Sequence, residues 1–157
     1  MSRLAGSNVA AVKSAFVTAL SARPAMSGVQ VSYSTPARLE RQAVFFDQAR
    51  PTTHTMGVRV MTGASSASNP HLVREELSIP LTIQVEGGVS VAAADAAAVA
   101  LLVEVQQCLA EASQLVPSVM WVQLNGDQIW SAVNEQNRAV CRIDLTVDVM
   151  AELFEDA

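Results

Sequence analysis

Hydrophobic and polar residues alternate clearly in the second half of the chain. Leu77, Ile79, Leu81, Ile83 and Val85 alternate with Ser78, Pro80, Thr82 and Gln84. A period of two puts the first set on one face of a strand and the second set on the other. The predicted strand runs from Leu72 to Val85, and Glu86-Gly87-Gly88 stops it. Pro80 falls on its polar face. Proline has no N–H for a ladder, so the strand is expected at a sheet edge or bulged at that point. A long exposed edge invites pairing with another chain.

An Ala-rich helix is predicted next, from about Val91 to Leu115. Val99, Leu102, Val105, Cys108 or Leu109, Ala112 and Leu115 recur at helical spacing. Leu101 and Val103 lie off that stripe, so the middle of the helix is apolar on more than one side. Such a helix is usually covered twice. The sheet supplies one cover, and the first helix or another subunit supplies the other. Alanines at 92–94 and 96–98 raise helix propensity and allow close approach, and Val116-Pro117 stops the helix. Met120, Val122 and Leu124 then alternate with Trp121 and Gln123 up to Asn125-Gly126, which reads as a two-residue hairpin turn. Ile129, Ser131 and Val133 continue beyond it, offset by Trp130, and Asn134 to Asn137 form a second turn. Cys141, Ile143, Leu145, Val147 and Val149 make a closing strand, with Arg142, Asp144, Thr146 and Asp148 on its polar face. The acidic tail from Glu152 to Ala157 is expected to fray.

The first half is less regular. Ser7 or Asn8 can cap a helix whose face is Val9, Val12, Phe16 and Leu20, and Arg23-Pro24 ends it. Gly28 opens a short strand in which Val29, Val31 and Tyr33 alternate with Gln30 and Ser32. Thr35-Pro36 marks a turn, Ala43 to Phe46 reads as a buried strand, and Asp47 to Pro51 as loop. His54, Met56, Val58 and Val60 alternate as a further strand. Residues 62 to 71 lack a period and are rich in Ser and Ala, with Gly63 and Asn69-Pro70; they read as a mobile loop. That loop is either a passive connector or an arm that orders against a neighbour. The fold class expected is α+β: a mixed or mainly antiparallel sheet, two helices packed on one face, and a single domain over 1–157.

Composition sharpens this picture. Half of the residues are hydrophobic and only 16% are charged, against about 25% in an average globular protein. Either other subunits cover part of the surface, or Ala and Val inflate the apolar count while Ser, Thr, Gln and Asn form the exterior. Ten Lys and Arg against fifteen Asp and Glu give −5. No cluster of cations could grip nucleic acid; Arg38 and Arg41 are the nearest approach to one. The start, Met1 to Gly6, lacks the apolar run of a signal peptide. The longest apolar stretch, Ala96 to Val103, is too short to span a bilayer. Cys108 and Cys141 have no CxxC spacing and sit on apolar faces, as reduced core thiols do.

Little in the sequence points to catalysis. Asp144 and Asp148 share a strand face about 13 Å apart, too far for a retaining-glycosidase pair. With Arg142 and Thr146 beside them they read as a solvated face, and alternatively as an acidic pore lining. His54 and His71 stand without ligand-spaced partners. No GxSxG, Walker or GxGxxG motif occurs. Trp121 and Trp130 flank the predicted hairpin turn as a cross-strand or core pair, or one of them faces out as an interface anchor.

The order of these elements resembles the tail terminator (tail-completion) proteins of long-tailed bacteriophages. The resemblance spans nearly the whole chain. It starts with the amphipathic helix Val9 to Leu20 and the loop Pro24-Ala25-Met26-Ser27-Gly28-Val29-Gln30-Val31-Ser32-Tyr33. It continues through the strand Glu76 to Val85, the glycine break, the long helix, and the alternating strand Arg138 to Met150. The Ser-rich loop and the Ala-rich helix start depart from the pattern, and neck and head-completion proteins use similar small domains. The resemblance implies a structural, non-enzymatic protein of the virion, without cofactor, metal or membrane. It implies a homohexameric ring that caps the tail tube, stops its growth and meets the head connector, with DNA passing unbound through the lumen. Met61, Ser65, Ser66, Asn69, His71, Pro80 and Trp130 are the candidates for subunit or tail contact, and Asp144 and Asp148 for the lumen. The alternatives are another neck or tube subunit, and a small-ligand or peptide-binding module.

Overall fold

The computed structural model describes residues 3–4, 9–47, 50–57, 72–111 and 119–156. The elements are β1 (Arg3–Leu4), α1 (Val9–Ala22), a 3-10 turn (Pro24–Met26), β2 (Gln30–Ser32), β3 (Gln42–Phe46), β4 (Arg50–Gly57), β5 (Leu72–Gly87), α2 (Val91–Ala110), β6 (Val119–Val133) and β7 (Ala139–Asp156). The strands form one mixed sheet in which β2 and β3 are parallel and every other pairing is antiparallel. Both helices pack on one face of it, so the fold is α+β.

Alternation in β5 and β7 builds that face. Leu77, Ile79, Leu81, Ile83 and Val85 lie beside Val149, Val147, Leu145, Ile143 and Cys141 in register, and all ten are buried. β3 adds Val44 and Phe46. α1 lays Val12, Phe16 and Leu20 on the core, with Phe16 stacked on Phe46 at 6.1 Å between ring centroids. It ends at Ala22, ahead of Pro24, where proline takes the first turn of the 3-10 segment and Met26 plugs the core. Lys13 is also nearly sealed. Its Nζ donates to the Asp47 carbonyl at 3.0 Å and stands 4.1 Å from the centre of the Tyr33 ring. Burial pulls its pKa down, and the Asp47 charge opposes that shift.

α2 is capped by Ser90, whose hydroxyl accepts from the Ala93 N–H. It buries Ala94, Ala98, Leu101, Val105, Cys108 and Leu109. The buried stripe is therefore rotated from the predicted one: Leu101 turns inward and Val99 outward. Alanines 94 and 98 let the backbone come close to the sheet, so the smallest residues of the first turns choose the face. Arg23 ties α1 to α2, donating from Nε to Glu104 at 2.6 Å and from Nη2 to Gln107 at 2.9 Å. By length and composition α2 could cross a bilayer, contrary to the shorter apolar stretch read from sequence. Here its buried stripe belongs to the core against the sheet.

Three sequence expectations are corrected. First, β5 is not an edge. β7 runs along one flank from Leu72 to Gly87, while β4 and β3 share the other, β4 beside Leu72–Ser78 and β3 beside Leu81–Val85. Pro80 sits at the junction, opposite Thr146, and its carbonyl accepts from the Asp47 N–H at 2.9 Å. N–H and C=O of one strand residue point the same way. The missing N–H therefore faces Asp47 at the end of β3, and the Asp47 carbonyl, which it would have served, accepts from Lys13 Nζ instead.

Second, Asn125-Gly126 is not a hairpin turn. β6 runs straight through it for 15 residues, with bulges between Val119 and Trp121 and between Gly126 and Gln128. Neither Asn125 nor Gly126 has the positive φ that the tight turn requires. The real β6–β7 turn is Asn134–Asn137. There the Asn134 side chain accepts from the Gln136 and Arg138 N–H groups at 3.0 and 2.9 Å, and Asn137 takes φ 60°. Trp121 and Trp130 consequently lie on one strand and do not face each other across a turn.

Third, residues 152 to 156 are strand, paired with β5 as far as Phe154 and with β1 at Glu155 and Asp156. Arg50 and Pro51, read as loop, open β4. The expectations for Ser7, Asn8, Val58, Val60, the loop 62–71, Ala112, Leu115 and Val116-Pro117 fall outside the described residues.

Candidate functional site: the β6 edge and the outer flank of α2

Among the described residues, five of the eight exposed large hydrophobic side chains belong to β6 and α2, the others being Tyr33, Leu39 and Val89. Among the described residues β6 pairs with β7 alone, and its other flank is an open edge. After the bulge, every residue from Gln128 to Val133 is exposed, and none carries a charge. Ile129 and Val133 are 61% and 51% exposed although they lie on the helix-bearing face, because α2 does not reach over them. Trp130 is 39% exposed on the opposite face, beside Arg142. On α2, Val99 and Val103 are 47% and 42% exposed. Between helix and strand lies a cleft of about 270 Å³, lined among others by Leu102, Gln106, Leu124 and Ile129. Together these residues make a mainly apolar flank, with Asp144 also on the wall of the cleft.

The hydrogen-bond directions of this edge follow from one contact. The Asn134 N–H donates to the Arg138 carbonyl at 2.8 Å, so Asn134 faces β7. Strand residues alternate in this respect. Ala132 and Trp130 therefore also face β7, and the N–H and C=O groups of Ile129, Ser131 and Val133 point outward.

The helix-free face of the sheet holds the acidic candidates. Asp144 accepts from the Thr82 hydroxyl at 3.1 Å and from Arg142 Nε at 2.9 Å. Asp148 accepts from the Asn125 side-chain amide. Both carboxylates are half-buried and tied to neighbours on their own sheet. Pro80, on the same face, is half-buried inside the sheet and not at its edge. Met61, Ser65, Ser66, Asn69 and His71 lie outside the described residues. The structure thus brings Trp130 to an open edge, leaves Asp144 and Asp148 on the same helix-free face with separate partners, and separates Pro80 from any edge. Sequence reasoning missed Ile129, Val133 and Val99 as exposed groups, since each sits on a stripe that reads as core, whereas Val103 reads as lying off the helix stripe.

A second concavity, an open groove of about 770 Å³, lies at the start of α2. It runs between Arg41, Gln42, Val85, Gly88, Ala93 and Ala97, with Glu40 and Glu86 also on its wall. Its lining is mainly apolar, and its one cation is matched by two carboxylates. Buried thiols complete the chemistry. Cys141 stands against Asp95, and burial and that neighbour push its pKa up to about 11; burial also raises Cys108. Raised thiol pKa values disfavour the nucleophilic thiolate. Among the described residues no three His, Cys, Asp or Glu side chains gather as metal ligands would. No protein-family profile matches the sequence, and no curated protein does.

Proposed function

We propose that this chain is a structural subunit that acts by assembling with copies of itself, as the ring that caps a phage tail tube and joins it to the head connector. One observation carries the reading: an uncharged strand edge and an apolar helix flank lie open side by side, in a molecule with few charges elsewhere. Open strand edges are ordinarily blunted by Lys, Pro, a bulge or a covering element in proteins that stay monomeric, and among the described residues the Gln128–Val133 window of β6 shows none of these. The order of elements quoted for the tail terminators supports the same reading, as does a net charge of −5, which keeps a lumen from gripping DNA. In this reading the activity is complementarity of surfaces: subunit contacts close the ring, and the ring occupies the site where the next tube ring would add.

The decisive experiment adds the purified chain to tail-tube subunits from the same genome while they polymerise, with tube length read by electron microscopy. Short tubes carrying an extra terminal ring are expected. Tubes of unchanged length with bare ends would overturn the proposal. The 770 Å³ groove supports a second reading, a small-ligand or peptide-binding module. That reading gains if tubes ignore the protein while Ala97→Trp, which would fill the groove, abolishes capture of a ligand.

A further inference from the structure

The edge of β6 is complementary to itself. From Gln128 to Val133 the strand keeps one register, is uncharged, free of proline and exposed at every residue, and the bulge at Asp127 bounds this window on one side while the Asn134 turn bounds it on the other. The outward groups belong to Ile129, Ser131 and Val133, as derived above from the Asn134 to Arg138 hydrogen bond. An antiparallel partner strand must put its own outward residues opposite these. A second copy does so when Ser131 meets Ser131 on a two-fold axis. Ile129 then faces the other copy's Val133, Val133 faces its Ile129, and on the helix-free face Trp130 lies opposite Ala132.

The geometry points to a two-fold dimer in which Gln128–Val133 of two copies pair antiparallel about Ser131, making one continuous sheet. Three hydrogen-bonded pairs form, exchanging about six main-chain hydrogen bonds. The match is also one of size and charge. The two most exposed aliphatic side chains of β6 cover each other, the large Trp130 lies over the small Ala132, and no ionisable side chain enters the window although the body carries −5. A two-fold axis perpendicular to the sheet keeps both helix layers on one side. The exposed Val99 flanks, one turn from the Leu102 that lines the cleft beside β6, are then turned toward the seam. An isologous contact closes after two copies. This contact therefore competes with ring closure for the β6 edge, and the inference does not rest on the ring reading.

Ser131→Pro is the test variant. Its N–H points away from β7, so proline removes intermolecular bonds and leaves the β6–β7 ladder whole. By sedimentation equilibrium from micromolar to millimolar concentration, the native chain is expected at twice 16.6 kDa, Ser131→Ala likewise, and Ser131→Pro at the monomer mass with an unchanged near-ultraviolet circular dichroism spectrum. The register is tested by mixing Trp130→Cys with Ala132→Cys. These positions form a non-hydrogen-bonded pair about 4.5 Å apart between Cα atoms, within disulfide range, so a mixed cross-link is expected and either variant alone should cross-link poorly. A native chain that stays monomeric throughout, or an oligomer whose mass Ser131→Pro leaves intact, would overturn the dimer. A sixfold mass unmoved by Ser131→Pro would do so while leaving the ring standing. A dimer dissolved by Ser131→Pro, together with tubes of unchanged length, would uphold the pairing and remove the ring.

Discussion

Cys141 shows how one side chain couples the core to pH. Its thiol is buried beside Asp95, and its pKa rises from an ordinary 9.0 to about 11. Between those values the unfolded chain has released this proton while the folded chain still holds it. Stability must then fall as pH rises through that window, since the native state binds more protons than the unfolded one. Cys108 shifts in the same direction, and the lowered Lys13 works against both. The expected outcome is a shallower loss of stability between pH 9 and 11 in Cys141→Ala than in the native chain, measured by denaturant unfolding at a series of pH values. Equal slopes would mean that the thiol titrates normally. The sequence already placed both cysteines on apolar faces, because alternation in β7 and helical spacing in α2 are local properties. Asp95 as the neighbour of Cys141 was not legible, since it depends on how α2 lies across β7.

At the scale of elements, the two ends of the β6–β7 unit show where pattern reading works and where it stops. Asn134 to Asn137 was read as a turn and is one. Asn125-Gly126 carries the stronger dipeptide signal and is a bulge within a strand. The apolar positions switch from even to odd numbers across it, from Val122 and Leu124 to Ile129 and Val133. A tight turn and a one-residue bulge both produce that switch, so the local sequence does not separate them. The long flank of β7 decides, because it needs a partner along its whole length. The two readings differ in what they ask of Gly126. It is not among the positive-φ glycines and has open space where a Cβ would stand. Gly126→Ala is therefore expected to leave stability unchanged or raise it by up to ~1 kcal/mol. Gly28→Ala, at φ +79°, should lose ~1 kcal/mol or more. Thermal unfolding of both variants checks this, and a large loss at Gly126 would restore the turn. Pro80 taught a similar lesson: the proline rule allows an edge or a bulge, and the molecule uses a third solution, a junction between two partner strands.

For the whole molecule, the layer arrangement and the core face were legible because β5, β7 and α1 repeat their periods long enough to fix them. The open side was less so. Val99, Ile129 and Val133 lie on stripes that suit a core, and only the reach of α2 over the sheet reveals that they stay uncovered. The junction at Pro80 carries a last consequence for the sheet as a mechanical object. Along one flank of β5 the ladder is interrupted there: residues 81–85 are zipped to β3 under the helices, and residues 72–78 to β4. The two zippers can part separately, so a fluctuation that frees β4 need not disturb the core. Deuterium uptake should accordingly rise in a step, with those amides of 72–78 that face β4 exchanging sooner than those of 81–85 that face β3.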